Sequence, residues 1–178
     1  MNKEQSSQEV KYERGNFFTE KGAAHSSNRH DWGTPQYLYD QLNKEFVFTV
    51  DVCASDWNAK HKNYWDKEAD ALKQDWSKHV CFMNPPFGRG MRKWIEKAYL
   101  ETIRGGLVVA VIPARTDTTY WHDFIEGVAD VRFIRGRLKY ERPEGAGAPA
   151  PFPSCVVVWS DLEYLQDELL ESKQEVLR

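Results

Sequence analysis

"VCFMNPPFGRG", residues 80–90, is the stretch on which the fold turns. Val80 to Met83 read as a short buried strand, and two prolines then deny the chain further ladder hydrogen bonds. Asparagine and proline both favour turns, so a stiff connection accounts for part of the pattern. A turn alone needs neither the amide of Asn84 nor the ring of Phe87. The other reading is a rigid clamp at a strand end, presenting an amide and an aromatic ring to something flat.

On the C-terminal side, "MRKWIEKAYLETIR" reads as a helix closed by Gly105. "LVVAVIP" (107–113) is a continuous apolar run, as expected of a strand buried on both faces. "TTYWHDFIEG" then reads as helix, "VRFIRG" as strand, "RPEGAGAPAPFP" as loop and "SCVVVWS" as a last buried strand. On the N-terminal side, "FVFTVDV" is a strand ending near Asp51. Before it, "PQYLYDQLNKEF" is a helix with Thr34 as N-cap and Pro35 as its first residue. "CASDWNAKHKNYWDKEADALKQDWS" is irregular, with a short strand at 63–65. Strands alternating with helices predict an α/β protein: a mainly parallel sheet with helices on both faces. The last two strands, with no helix between them, predict an antiparallel edge. In such sheets ligands bind at the carboxyl ends of the strands, which brings Asp51, Asn84, Arg115 and Arg135 to one edge.

A chain of 178 residues with 41% hydrophobic and 29% charged side chains fits one globular domain with a real core. Seven tryptophans and 13% aromatic residues are a high content, suited to a core that also stacks on ligands. No apolar run approaches a membrane span, and "MNKEQSSQEVKYERG" does not read as a signal peptide. Cys53, Cys81 and Cys155 are odd in number, lack metal-ligand spacing and sit in apolar stretches. A cytoplasmic protein with reduced thiols, no membrane segment and no metal is the expectation.

The net charge of −3 argues weakly against nucleic acid, but residues 161–178 alone carry −4 and leave +1 for the rest. Arg132, Arg135, Arg137, Lys139 and Arg142 form a basic cluster, either a nucleic-acid surface or a solvated hairpin. The organisation expected is a polar arm (1–24), one domain (25–160) and an acidic helix (161–178). That helix carries Leu162, Leu165 and Leu169 on one stripe. The stripe docks on the chain's own sheet, giving a monomer, or pairs two chains.

"WGTP" before a helix, "DVCA" after a strand and "NPPF" after another follow one another in that order. With "RTDTTYWHDFIEG", "FIRGRLKY" and "PFPSCVVVW", they span about His25 to Trp159. Over that span the chain resembles the S-adenosylmethionine-dependent DNA N6-adenine methyltransferases, specifically the compact phage-type Dam family. Asn-Pro-Pro-aromatic arises by chance in roughly one such chain per thousand, which makes it the strongest motif. Taken alone it also suits enzymes that methylate glutamine amides or RNA bases. The resemblance implies a seven-stranded, Rossmann-like class I methyltransferase sheet whose last hairpin is antiparallel. It also implies methyl transfer from S-adenosylmethionine to adenine N6, with double-stranded DNA as partner in a host cytoplasm.

The chemistry fits the clamp. An exocyclic adenine amine is a poor nucleophile because its lone pair is delocalised into the ring. The Asn84 side-chain oxygen and the Pro85 carbonyl can each accept one amine hydrogen and turn the lone pair toward the methyl group. That interaction strengthens as positive charge develops. Pro85 and Pro86 fix the backbone, and Phe87 stacks on an adenine that has left the helix. No strong general base is needed, because the amine becomes acidic after transfer.

By resemblance, Trp32, Thr34 and Pro35 lie near the methionine part of the cofactor. Asp51 accepts from its amino group or is a solvated strand end. Cys53 and Ala54 follow in "DVCAS", which lacks the glycines that usually admit this cofactor to the backbone. Asp70 matches the position that receives the cofactor's adenine, with Asp66, Glu68 and Asp75 as rivals or as surface charge. Arg115, Arg135, Arg137 and Lys139 face DNA, whereas His122, Trp121 and Trp94 read as structural. Specificity is expected from short loops such as 136–153, hence a short or relaxed target sequence. A catalytically idle DNA-binding module is a further alternative, against which the intact "NPPF" and Asp51 speak.

Overall fold

The computed structural model describes residues 32–160. The expected N-terminal arm (1–24) and acidic helix (161–178), with its leucine stripe, lie outside the described residues. In chain order the elements are α1 (Gln36–Phe46), β1 (Val50–Asp51), a 3-10 turn (Ala71–Lys73), β2 (Val80–Met83), α2 (Met91–Ile103) and β3 (Leu107–Pro113). There follow α3 (Thr119–Phe124), β4 (Asp130–Phe133), a small hairpin of β5 (Glu141–Arg142) and β6 (Gly145–Ala146), and β7 (Ser154–Trp159).

The main sheet has the order β1-β2-β3-β7-β4. β1, β2 and β3 are parallel, and β7 runs antiparallel to both of its neighbours, β3 and β4. Four of the five strands therefore point the same way. Among the described residues the main sheet has five strands, against the seven that the resemblance implies. Where a short strand was expected at 63–65, the chain runs parallel to β1 through a bridge from Asp51 to Tyr64, with Asp51 N–H donating to the Asn63 carbonyl and Trp65 N–H to the Asp51 carbonyl. The last two strands, β4 and β7, form the expected antiparallel edge, with β7 lying inside against β3 and β4 outermost. Composition explains this: Ser154–Trp159 is buried throughout, whereas β4 carries Asp130, Arg132 and an exposed Phe133. Residues 142–153, expected to be loop, contribute to the β5–β6 hairpin.

β3 divides its side chains between two cores, as the two-residue period of a strand requires. Val108, Ala110 and Ile112 pack with Ile95, Ala98, Trp121 and Ile125 from the side of α2 and α3. Val109 and Val111 pack with Leu38, Tyr39 and Leu42 of α1 on the other side. Helices thus cover both faces, as expected. Each such valine or isoleucine, fully buried, contributes roughly 1.5–3 kcal/mol relative to exposure.

Two local details set up the site. Pro35, not Thr34, occupies the cap position of α1, and Thr34 makes no capping bond. The extended Pro35 starts the helix one residue later, and its carbonyl accepts from Leu38 and Tyr39 N–H (3.0 and 3.2 Å). The second detail is a buried anchor. Trp76 donates through its backbone to Glu101 Oε2 (2.9 Å) and through Nε1 to the Ala71 carbonyl (2.8 Å). Glu101 is itself buried, with Lys97 and Arg104 on its other oxygen at 2.7 and 2.9 Å. Burial opposes its ionisation, yet Lys97, the Trp76 N–H and Arg104 together hold its carboxyl below the usual glutamate value. A buried charge so satisfied is tolerable, and it fixes the irregular segment before β2 onto α2. Gly106 is required here, since a Cβ would lie 2.9 Å from the Trp76 carbonyl oxygen.

Candidate active site

Asn84 is the first residue beyond β2. Its Nδ2 donates to the Trp32 carbonyl. An amide facing a carbonyl must present its NH₂, so Oδ1 faces the other way. That oxygen is buried and has no hydrogen-bond partner among the described residues. Leaving a buried acceptor unpaired costs about 1–3 kcal/mol, which a ligand donor can restore. Phe87 lies against Trp32 (centroids 6.2 Å apart, planes at 26°) and meets Tyr140 and Phe152 edge-on at 5.6 and 5.5 Å.

Beside this clamp lies a cavity of about 400 Å³. Trp32, Trp57, Trp65 and Trp94 line it, as do Asn84 and Pro86. Four of the seven tryptophans therefore face the cavity, while Trp76, Trp121 and Trp159 are core. Trp94, expected to be structural, packs against the core and, from the first turn of α2, also reaches the cavity wall. Trp57 and Trp65 escaped the sequence reading, for which the high tryptophan content was the one signal. Cys53, Ala54 and Asp70 line the cavity, and so does the rival Asp66. Glu68 and Asp75 are exposed outside it, with Asp75 3.5 Å from Arg104. Asp70 forms an ion pair with Lys73 at 2.8 Å.

The DNA N-6-adenine-methyltransferase (Dam) family model matches residues 21–168, most of the chain. The chain belongs to the Dam family. A DNA N-6-adenine-methyltransferase of Haemophilus phage HP1 (strain HP1c1) is 27% identical over 105 residues. That match spans 58% of this Dam-family chain and 60% of the phage protein.

The remaining candidate residues of this Dam-family chain fall outside the cavity lining. Thr34 is buried and its Oγ1 has no partner among the described residues. Pro35 and Pro85 are buried beside it in sequence and after Asn84, respectively. Arg115, Arg135, Arg137 and Lys139 are exposed at or beyond the C-terminal ends of β3 and β4, with no ion pair among the described residues. Two members of the expected basic cluster are otherwise engaged. Arg132 binds both Glu45 oxygens (2.7 and 2.8 Å) and Asp130, and Arg142 lies 5.3 Å over the Trp32 ring. His122, near the end of α3, pairs with Glu126 at 2.6 Å, both side chains exposed. Among the described residues no cluster of His, Cys, Asp or Glu could hold a metal ion, and no helix is long and apolar enough to cross a membrane. The three cysteines are free.

Asp51 is neither a solvated strand end nor part of the lining. It is 2% exposed. Its Oδ1 accepts from Cys53 N–H (3.2 Å) and its Oδ2 from Lys60 N–H (3.0 Å). The carboxylate therefore clasps the loop that carries Cys53, Ala54 and Trp57 to the cavity. Burial pushes its carboxyl up to about 6, although the two backbone donors work in the opposite sense. The folded value lies above the unfolded one, so ionising Asp51 erodes stability as pH rises from about 4 to about 6. Relative to Asp51→Asn, the wild type should lose about 3 kcal/mol across that window and nothing more above it. Urea denaturation of both proteins from pH 4 to 7 measures this; parallel stability curves would contradict the buried-clasp reading.

Proposed function

We propose that this chain transfers a methyl group from S-adenosylmethionine to the exocyclic N6 amine of adenine in DNA. The observation that carries the reading is the buried Asn84 Oδ1, turned away from Trp32 and left without a donor beside the cavity. Family membership and the phage relative's name point the same way. We read the sheet as a Rossmann-like class I methyltransferase sheet, with residues 25–160 as its domain.

The cavity suits the cofactor. About 400 Å³ lies within the range of small-molecule sites, and tryptophan walls suit a purine. Asp66 and Asp70 offer acceptors for ribose hydroxyls or an adenine amine. The unpartnered Thr34 Oγ1, in the segment joining Trp32 to α1, is a further anchor. When bound, the cofactor supplies an electrophilic methyl group on a sulfonium sulfur. Asn84 Oδ1 and the Pro85 carbonyl accept the two amine hydrogens of the target adenine and aim its lone pair. Pro85 and Pro86 keep both acceptors fixed, so little reorganisation accompanies the developing charge. Phe87, supported edge-on by Tyr140 and Phe152, offers the flipped base its face. The surplus proton leaves to water once transfer has made the amine acidic. Arg115, Arg135, Arg137 and Lys139 hold the duplex by its phosphates. The enzyme works as a monomer in a host cytoplasm, without a metal.

Expression in cells lacking adenine methylation, followed by sequencing that detects modified bases, tests the function. N6-methyladenine in a short or relaxed context is the expected result. Unmodified DNA from cells holding folded protein contradicts it, and methylation found instead in RNA or on glutamine selects the alternative acceptors. Replacing Arg135 and Arg137 together by Ala should weaken DNA binding and flatten its logarithmic salt slope by about 2. Cofactor affinity should stay unchanged. An unaltered slope in titrations at several salt concentrations would put the DNA elsewhere.

A further inference from the structure

Glu141 sits where three segments meet. Its backbone pairs with Gly33 in both directions, at 3.0 and 2.7 Å. Its Oε1 accepts from Gln36 N–H at the start of α1 (2.9 Å), and its Oε2 accepts from Lys60 Nζ (2.6 Å). The Lys60 side chain is only 6% exposed and also donates to Gln36 Oε1 (3.2 Å). Its backbone N–H is the one held by Asp51. At the same junction Gly33 is closely packed, since a Cβ would lie 3.2 Å from both Glu141 Cβ and the Trp57 ring.

These contacts join two surfaces that are distant in sequence. The loop ending at Lys60 brings Cys53, Ala54 and Trp57 to the cavity. The segment ending at Glu141 carries the exposed Arg135, Arg137 and Lys139. Separating the two would break the 2.6 Å Lys60–Glu141 ion pair. The pair therefore favours one mutual arrangement of the loop and the basic segment over arrangements that lack it.

We infer that the Lys60–Glu141 pair couples the two ligands of the enzyme, so that a filled cavity tightens DNA binding and bound DNA tightens cofactor binding. The inference rests on the methyltransferase reading above. A ligand shifts an arrangement only by binding it better than its alternatives. Here both ligands engage the same arrangement, one through the loop and one through the basic segment. Each removes an ordering cost that the other would otherwise bear, and the effect is reciprocal by linkage. Lys60 and Glu141 are positioning residues, acting through the elements that they hold.

The test is fluorescence anisotropy of a labelled duplex carrying the context found by sequencing, with and without saturating S-adenosylhomocysteine. Wild type is compared with Glu141→Gln and with the double variant Lys60→Met/Glu141→Gln. Gln at 141 keeps an acceptor for Gln36 N–H, and the double variant leaves no unpaired charge; melting temperatures report folding. Wild type should bind DNA about tenfold more tightly with the analogue present, within the usual range of coupling. Both variants should fall below about twofold while still binding each ligand alone. Calorimetry of the analogue with and without DNA must return the same factors. A folded variant that keeps the wild-type ratio, or a wild-type ratio of one, overturns the inference. Wild type that binds neither analogue nor DNA instead overturns the methyltransferase reading itself.

Discussion

A side-chain amide has two hydrogen-bonding sides, and at Asn84 the donor side is committed to the Trp32 carbonyl, 52 residues away in the chain. That commitment leaves the acceptor side unpaired and buried. The contact also joins the segment before α1 to the end of β2 and places Trp32 against Phe87. The cavity, the aromatic cluster and the clamp all share Trp32 as a member. A protein interior rarely leaves such an acceptor unmet, and a catalytic role is one of the few reasons for which it does.

The rest of the site is built from chain without regular structure, which needs anchors of another kind. Asp51 clasps one loop through two backbone donors, and Glu101 holds Trp76 at the far end of the irregular segment. Both are buried carboxylates with opposite electrostatic outcomes. Glu101 has two cations beside it and is held below the ordinary range. Burial pushes Asp51 above it, because its neutral N–H donors offset the lost hydration only in part. Fixed polar anchors let aromatic walls stand in place without the ladders of a sheet.

Much of this was legible in the sequence, and what was not shares one physical cause. The boundaries of β2, β3 and β7 follow from continuous apolar runs, and α2 from its periodicity and closing glycines. Asn84 and its prolines stood out because the motif is local. The antiparallel edge of β4 and β7 was legible too, but which of them lies outermost depends on which strand is apolar on both faces. Glu141 caps a helix 105 residues earlier, in the place expected for Thr34, and nothing near either residue reveals it. Asp51 was visible as a strand-end acid, but its burial depends on loops that fold over it. Trp94 packs on the core as its helical spacing suggests, but spacing does not reveal that it also lines the cavity. Arg132 and Arg142 group with the other basic residues in sequence, because their partners, Glu45 and Trp32, lie far away along the chain.

Single-turnover methylation of DNA by Asn84→Ala tests the central claim most directly, with S-adenosylhomocysteine binding and thermal melting as controls. Losing one transition-state hydrogen-bonding partner should lower the rate by roughly a hundredfold or more, with folding and analogue affinity retained. Asn84→Asp keeps an acceptor but loses the donor to Trp32, so it should fall between Ala and wild type. Near-normal methyl transfer by well-folded Asn84→Ala would contradict the account, leaving residues 84–87 a turn and nothing more.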